Sequence, residues 1–339
     1  MERQSEMKKQ VAKWLTALMP GRAWGAVLVL AALTAMGLAF MWWCPDSGCL
    51  AELHGAHWMF RRQVLWMGIG LPCFLLAAMV GWRRWLKAAP FLALGWLALF
   101  VVAICSPQVG HNLYARVGAV QLNVLVFCPL VVALLLAWIA EKLPSRRALV
   151  VLLVAAVAAA GAFAVWTLDG REGMARIFGR ESVEATSPEE VMLREWAQDA
   201  SHEAMREAHW FSGNGEVLRQ KSLPGRLTYS MPFTAALVFG KWFNALALAL
   251  FGIFAATLAC CCRKARDAAK KLFVAATGLF ILSMAACGYS AYFGLVPPML
   301  NTCVPLVSYG GSVIVFVGIM AGIVVALETE RNREYGGCR

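Results

Sequence analysis

The sequence predicts an all-α polytopic membrane protein of about eight transmembrane helices with one large outer loop. Three observations carry that expectation. The 339 residues are 60% hydrophobic and only 15% charged. Several uninterrupted apolar runs reach about 18 residues, the length that crosses ~30 Å of hydrocarbon. The short segments between them alternate between basic and weakly charged, as a membrane topology demands.

The apolar runs place spans at 23–43, 64–81, 88–105, 121–140, 148–167, 232–259, 272–291 and 312–327. The first run ends without a small-residue cleavage site, so it reads as a retained helix rather than a signal peptide. An even number of spans puts both termini on one side. With the amino terminus in the cytoplasm, the inner segments 1–22, 82–87, 141–147, 260–271 and 328–339 hold most of the 31 Lys and Arg, as the positive-inside rule requires. The net charge of +11 is therefore largely topological. Basic residues spread over five loops collect on no single face, which argues for membrane lipid and against nucleic acid as a partner.

The 11 cysteines show no zinc spacing. Cys260, Cys261 and Cys262 close a span at its inner end, just before Arg263 and Lys264; free thiols are the simpler reading and lipidation the alternative. Cys44 and Cys49 share the first outer loop and would pair in an oxidising compartment.

Residues 168–231 form the large outer loop and carry more than half of the 20 acidic residues. Within it Ser187 caps a predicted helix, with Pro188 at the first helical position and Glu190 three residues after the cap. Val191, Trp196, Ala200, Ala204, Met205 and Ala208 then fall on one face, which predicts an amphipathic helix near 188–209. It would lie on the outer surface or simply cap the bundle. Gly213, Gly215 and the stretch "RQKSLPG" (Arg219 to Gly225) follow as a basic loop. There Arg219, Lys221 and Arg226 would hold a phosphate, unless they only face lipid headgroups.

All Asp and Glu fall outside the apolar cores, and so does every His. The one ionisable exception is Lys241, in the outer half of the sixth span. Ion-coupled transport, which calls for a carboxylate near the midplane, is thereby disfavoured. Polar chemistry is left to the outer rim: His54, His57, Arg61, Arg62, Gln63, His111, Arg116, the loop 168–231 and the stretch before the last span. No phosphate-binding loop, nucleophile elbow, metalloprotease motif or dinucleotide fingerprint occurs, and no metal-ligand set is read.

The stretch "GLVPPMLNTCVPLVSYGGS", Gly294 to Ser312, resembles the signature of the SEDS family of shape, elongation, division and sporulation proteins, which includes RodA and FtsW. In that family a Gly-Leu-x-Pro turn leads through Pro-x-x-Ser-Tyr-Gly-Gly-Ser into the last helix; here the residues are Pro305, Ser308, Tyr309, Gly310, Gly311 and Ser312. Three further blocks follow the family in order. They are "FRRQVLW" (Phe60 to Trp66), "ARVGAVQLN" (Ala115 to Asn123) and "GNGEVLRQKSLPGRLTY" (Gly213 to Tyr229), in which Gly213, Gly215, Gln220, Lys221 and Pro224 match loop positions.

The resemblance implies one transmembrane domain over 1–339, in the bacterial cytoplasmic membrane with both termini inside. It further implies a peptidoglycan glycosyltransferase that polymerises lipid II, an undecaprenyl-linked precursor, on the outer face. A class B penicillin-binding protein is the implied partner, and a divalent cation at the pyrophosphate is left open. An outer-loop Asp would serve as general base while cations such as Arg62 and Arg116 hold the leaving pyrophosphate. The motif residues would shape the outer mouth, the glycines permitting the turn and close helix approach.

The sequence departs from the family at telling positions. Tyr229 stands where the family has its catalytic Asp, and Gln121-Leu122-Asn123-Val124 replaces Gln-Pro-Ser-Glu. The family has ten spans against eight here. Three readings remain open: a divergent polymerase using another acid such as Asp46, Glu52 or Glu216, a silent scaffold, and a flippase of lipid-linked sugars.

Overall fold

A computed structural model describes residues 23–44, 57–105, 114–117, 120–143, 150–161, 206–212, 231–265, 267–290 and 304–336, with a few single residues between them. The order is α1 (Ala23–Trp43), α2 (Trp58–Val80), α3 (Trp82–Cys105), β1 (Tyr114–Val117), β2 (Val120–Asn123), a 3₁₀ turn (Val124–Phe127) and α4 (Cys128–Lys142). The chain goes on through α5 (Val150–Gly161), α6 (Met231–Phe239), α7 (Lys241–Lys264), α8 (Ala268–Ser290) and α9 (Gly311–Gly336). Apart from the antiparallel β1–β2 hairpin, the regular elements among the described residues are helical.

Among these residues 6 helices are long and apolar enough to cross a membrane, namely α1, α2, α3, α7, α8 and most of α9, and α5 is a shorter apolar helix. The protein is thus a multi-pass, mainly helical membrane protein, as its composition predicts.

Three boundaries differ from the sequence reading, each for a local reason. The expected inner loop 82–87 is helical. Gly81, at φ 78°, breaks the helix within a single residue between α2 and α3, in a conformation a side chain would oppose. Charged Arg83, Arg84 and Lys87 suggest a loop to a hydropathy reading, yet they stand on the first turns of α3. The span expected at 121–140 starts later, because Val120–Asn123 pairs with Tyr114–Val117 and only Cys128–Lys142 is α-helical. The run 232–259 is broken at Gly240, whose φ of 96° ends α6 and starts α7.

The core sits between α8 and α9, with α1, α2, α4 and α7 packed around them. Where α2 meets α9 the backbones approach through glycines. A β-carbon on Gly70 would lie 2.8 Å from Ile314, one on Gly318 3.0 Å from the Gly70 carbonyl, and one on Gly322 2.8 Å from Ala77. Lipid is as apolar as a helix surface, so close contact of this kind, more than transfer from water, holds spans together.

The two ends of the bundle are built differently. At one end the Glu328 carboxylate, buried on α9, accepts a hydrogen bond from the Ala23 amide at the start of α1, where negative charge complements the helix dipole. Glu328 lies one residue beyond the expected span and is nonetheless buried. At the other end α1 and α2 converge on the segment 304–311, and this motif end positions the candidate site.

Candidate functional site

The motif segment folds as a tight turn ahead of α9. Val304 carbonyl oxygen accepts from the Ser308 amide at 3.0 Å and from the Ser308 hydroxyl at 2.9 Å. Ser308 is thereby turned inward, and it is buried. The left-handed position is not taken by a glycine of the motif. It is Leu306, at φ 68°, a conformation that costs an L side chain energy and persists only where surroundings enforce it. Those surroundings include α1: a β-carbon on Gly37 would lie 2.7 Å from the Val307 carbonyl. Gly311 does permit close approach as expected, because its Cα faces the Trp66 ring of α2 with no room for a side chain. Pro305 is buried, whereas Tyr309, Gly310 and Ser312 are half-buried.

Gln63 joins this turn to α2. Its Nε2 donates to the Ser308 carbonyl at 3.4 Å, and its Oε1 accepts from the Gly310 amide at 3.3 Å. The side chain is only 1% exposed. Its neighbours Arg61 and Arg62 are exposed, and the Arg62 guanidinium lies 4.7 Å from the Trp58 ring centre, a cation–π arrangement. One residue further out, His57 stacks on Trp42 at 4.8 Å. Arg62 therefore stands on the same helical turn as the residue that grips the motif. Arg116 lies on β1 opposite Gln121 of β2, and the hairpin follows a helix anchored by the Trp96 indole donating to the Val124 carbonyl at 2.9 Å.

A second polar cluster sits at the break in the predicted sixth span. Asn244, on the first turn of α7, donates from Nδ2 to the Pro232 carbonyl at 2.7 Å and accepts from the Tyr289 hydroxyl at 3.4 Å. Twelve residues in a straight helix would span roughly 18 Å. The Asn244 bond therefore requires α6 to fold back on α7. Residues 231–237 of α6 are all buried, and Phe233 lies 5.7 Å from Tyr292. Burial pushes the Tyr292 phenol above its ordinary range, and its hydrogen bond with Asn244 opposes that rise.

The start of α7 is closed by the chain segment that precedes α6. The Lys241 amide donates to the His209 carbonyl at 2.9 Å and the Trp242 amide to the Trp210 carbonyl at 3.1 Å. Lys241 is thus the first residue of a helix at the bundle rim, not a charge within a span. Residues 199, 203, 206 and 207 are helical and Ala208 is buried; the rest of the helix expected near 188–209 lies outside the described residues.

The structure brings together Arg62, Pro305, Ser308, Tyr309, Gly310, Gly311 and Ser312. Gly213, Gly215, Arg219, Gln220, Lys221, Pro224, Arg226 and Tyr229 lie outside the described residues, as do Asp46, Cys49, Glu52 and Glu216. Cys44 is buried. Among the described residues no three His, Cys, Asp or Glu side chains converge, so none of these forms a donor set for a divalent cation. The joining role of Gln63 and the folding-back role of Asn244 escape a sequence reading. Their signal was an amide at the edge of, or within, an apolar run, where an unpaired amide is costly.

No curated protein matches the chain in sequence. The FtsW, RodA and SpoVE family, described as a cell cycle protein, matches over residues 239–333, which contain the whole Ser308–Ser312 motif. A chain from a peptidoglycan synthase complex that coordinates polymerization and crosslinking superposes with a TM-score of 0.63 at 20% identity, over 91% of this chain and 98% of that one. The rod shape determining protein RodA of Thermus thermophilus gives 0.56 at 19% identity over 91% and 97% of the two chains. An aspartate-to-alanine variant of RodA gives 0.61 at 20%, again over 91% and 97%. The fold is therefore that of a RodA-like polytopic membrane protein. The family match covers the C-terminal part of the chain and the structural likeness shows the fold.

Proposed function

We propose that this chain is a SEDS-type cell-wall protein acting in peptidoglycan glycosyl transfer during cell shape maintenance or division. In this reading it lies in the bacterial cytoplasmic membrane with both termini inside. The motif end faces outward, on the side to which the helix count assigns the loop 168–231. The observation that carries the reading is the Ser308–Gly311 turn, locked against α2 beside Arg61 and Arg62 inside the family-matched region. A cationic turn next to a rigid mouth suits a lipid-linked pyrophosphate such as that of lipid II, whose departure needs positive charge. The synthase complex that shares this fold supports a class B penicillin-binding protein as partner.

Catalysis needs a base for the acceptor hydroxyl. Tyr229 occupies the position of the family's Asp, and a phenol with a reference pKa of ~10 is a poor base at neutral pH. A polymerase would therefore use another outer acid, with Asp46, Glu52 and Glu216 as candidates. Tyr229 also favours a second reading, in which the chain binds precursor and partner as a scaffold without turning over. A flippase role is weakened because, among the described residues, Asp and Glu are missing from the middles of the spans, with the buried Glu328 near the end of α9.

Lipid II polymerisation by the purified protein, alone and with its class B partner, tests this directly. Glycan chains that vanish in Glu216→Ala or Asp46→Ala would establish the polymerase and its base. Precursor binding without product, and product gained in Tyr229→Asp, would establish the scaffold. Neither binding nor product would overturn both.

A further inference from the structure

We propose that Gln63 is a positioning residue that holds the Ser308–Gly310 turn and the Arg61–Arg62 turn of α2 in one fixed geometry, so that both meet a phosphorylated lipid headgroup together. The use of that geometry rests on the proposed function, whereas the tie itself does not.

Gln63 is the buried polar residue among the α2 side chains, whose other buried members are Gly70, Ala77 and Ala78. Burying an amide is unfavourable unless both its ends are bonded. Here the donor end reaches the Ser308 carbonyl and the acceptor end takes the Gly310 amide, 245 and 247 residues away in sequence. Ser308 and Gly310 flank Tyr309 in the short connection between the 304–308 turn and α9, where helical bonding starts with the Ile314 amide donating to the Gly310 carbonyl at 3.2 Å. The amide of Gln63 thus acts as a side-chain rung for backbone that the helix does not reach.

The turn also contains a conformation that would relax if released, since Leu306 is left-handed. Two restraints oppose that relaxation: the Gly37 contact from α1 and the Gln63 clamp from α2. The α1 contact constrains only Leu306 and Val307. Gln63 alone of the two carries the restraint to the side that holds Arg62, one residue away on the same helical turn.

Hydrogen exchange on the full-length protein in nanodiscs, combined with binding of fluorescent lipid II, tests the proposal. Gln63→Leu keeps approximate volume and removes both bonds. Gln63→Glu is isosteric and keeps the acceptor for the Gly310 amide. In Gln63→Leu, exchange at 308–312 is expected to rise about tenfold and lipid II binding to weaken by about the same factor. Gln63→Glu keeps the bond to the Gly310 amide but, as a carboxylate, loses the donor to the Ser308 carbonyl, so it should restore protection and binding only in part. Unchanged exchange in Gln63→Leu would overturn the tie. Faster exchange with unchanged binding, or Leu and Glu variants alike in both readouts, would overturn the positioning role. If Gln63→Leu does not fold, Gln63→Glu and the shorter Gln63→Asn are compared in the same way, with Glu expected to be the better protected. A wild-type protein that binds no lipid II would sink the proposed function, while the exchange result would still decide whether Gln63 holds the turn.

Discussion

Helices α3 and α9 are both long, apolar and free of charge through their middles, yet they live in different surroundings. In α9, 72% of a membrane-length stretch is buried inside the protein; in α3 the figure is 17%. Their glycines differ in the same sense. Gly318 and Gly322 of α9 lie against the backbone of α2, whereas Gly95 of α3 has nothing within 4 Å. Phe91, Leu94 and Val101 of α3 are correspondingly exposed. Hydropathy therefore separates membrane from water but does not separate the interior of the bundle from its lipid face. Close packing of small residues makes the second distinction.

The sharpest way to break this comparison is Gly322→Val. Its side chain would meet the Phe74 carbonyl and Ala77, and overpacking against backbone is expected to cost about 3 kcal/mol. Thermal unfolding in detergent should fall well below wild type for Gly322→Val and stay close to it for Gly95→Val. Equal losses at both sites would show that α9 is no more constrained than α3.

Next in size is Asn244→Leu, which leaves the Pro232 carbonyl and the Tyr289 hydroxyl without this buried partner. A loss of about 2 kcal/mol is expected, measured by the same unfolding. The control is Thr257→Ala on α7, half-buried beside Gly25 of α1, where the hydroxyl bonds its own helix at the Ile253 carbonyl; its change should stay below about 1 kcal/mol.

A smaller effect of opposite sign is expected for Gly95→Ala. Open space removes any clash, and replacing glycine within a helix should stabilise by about 0.5–1 kcal/mol. A melting point below wild type would mean that α3 has a packing partner at that position.

The smallest effect concerns pH. Burial raises the Tyr292 phenol above its ordinary value, so the folded state holds that proton more tightly than the unfolded chain does. The resulting stability is intact below about pH 10 and is lost as pH climbs through the raised folded value. Melting points measured on both sides of pH 10 should fall less steeply for Tyr292→Phe than for wild type. Identical slopes would place Tyr292 in water-like surroundings.

The family signature was legible because its residues are contiguous: Pro305 and Ser308 through Ser312 need no fold to be read together. The membrane class was legible too, since about 18 apolar residues have few other stable destinations. Span edges were less so. Gly81 and Gly240 each interrupt a helix at a single residue, and a window averaged over a whole span cannot register one dihedral angle. The large outer loop was read from polarity and helix count, whereas the matching of Tyr229 to the family's Asp position came only through resemblance.

By itself, then, the sequence determined the solvent this chain lives in and the family its motif resembles, because apolar length and a contiguous motif are properties of the chain alone. Tertiary structure decided which apolar helix is interior, that Leu306 rather than a motif glycine makes the strained turn, and that Gln63 meets Ser308 and Gly310 from 245 and 247 residues away. Those features depend on which backbones approach within van der Waals contact and which buried polar groups find each other. Both are settled only when distant segments pack.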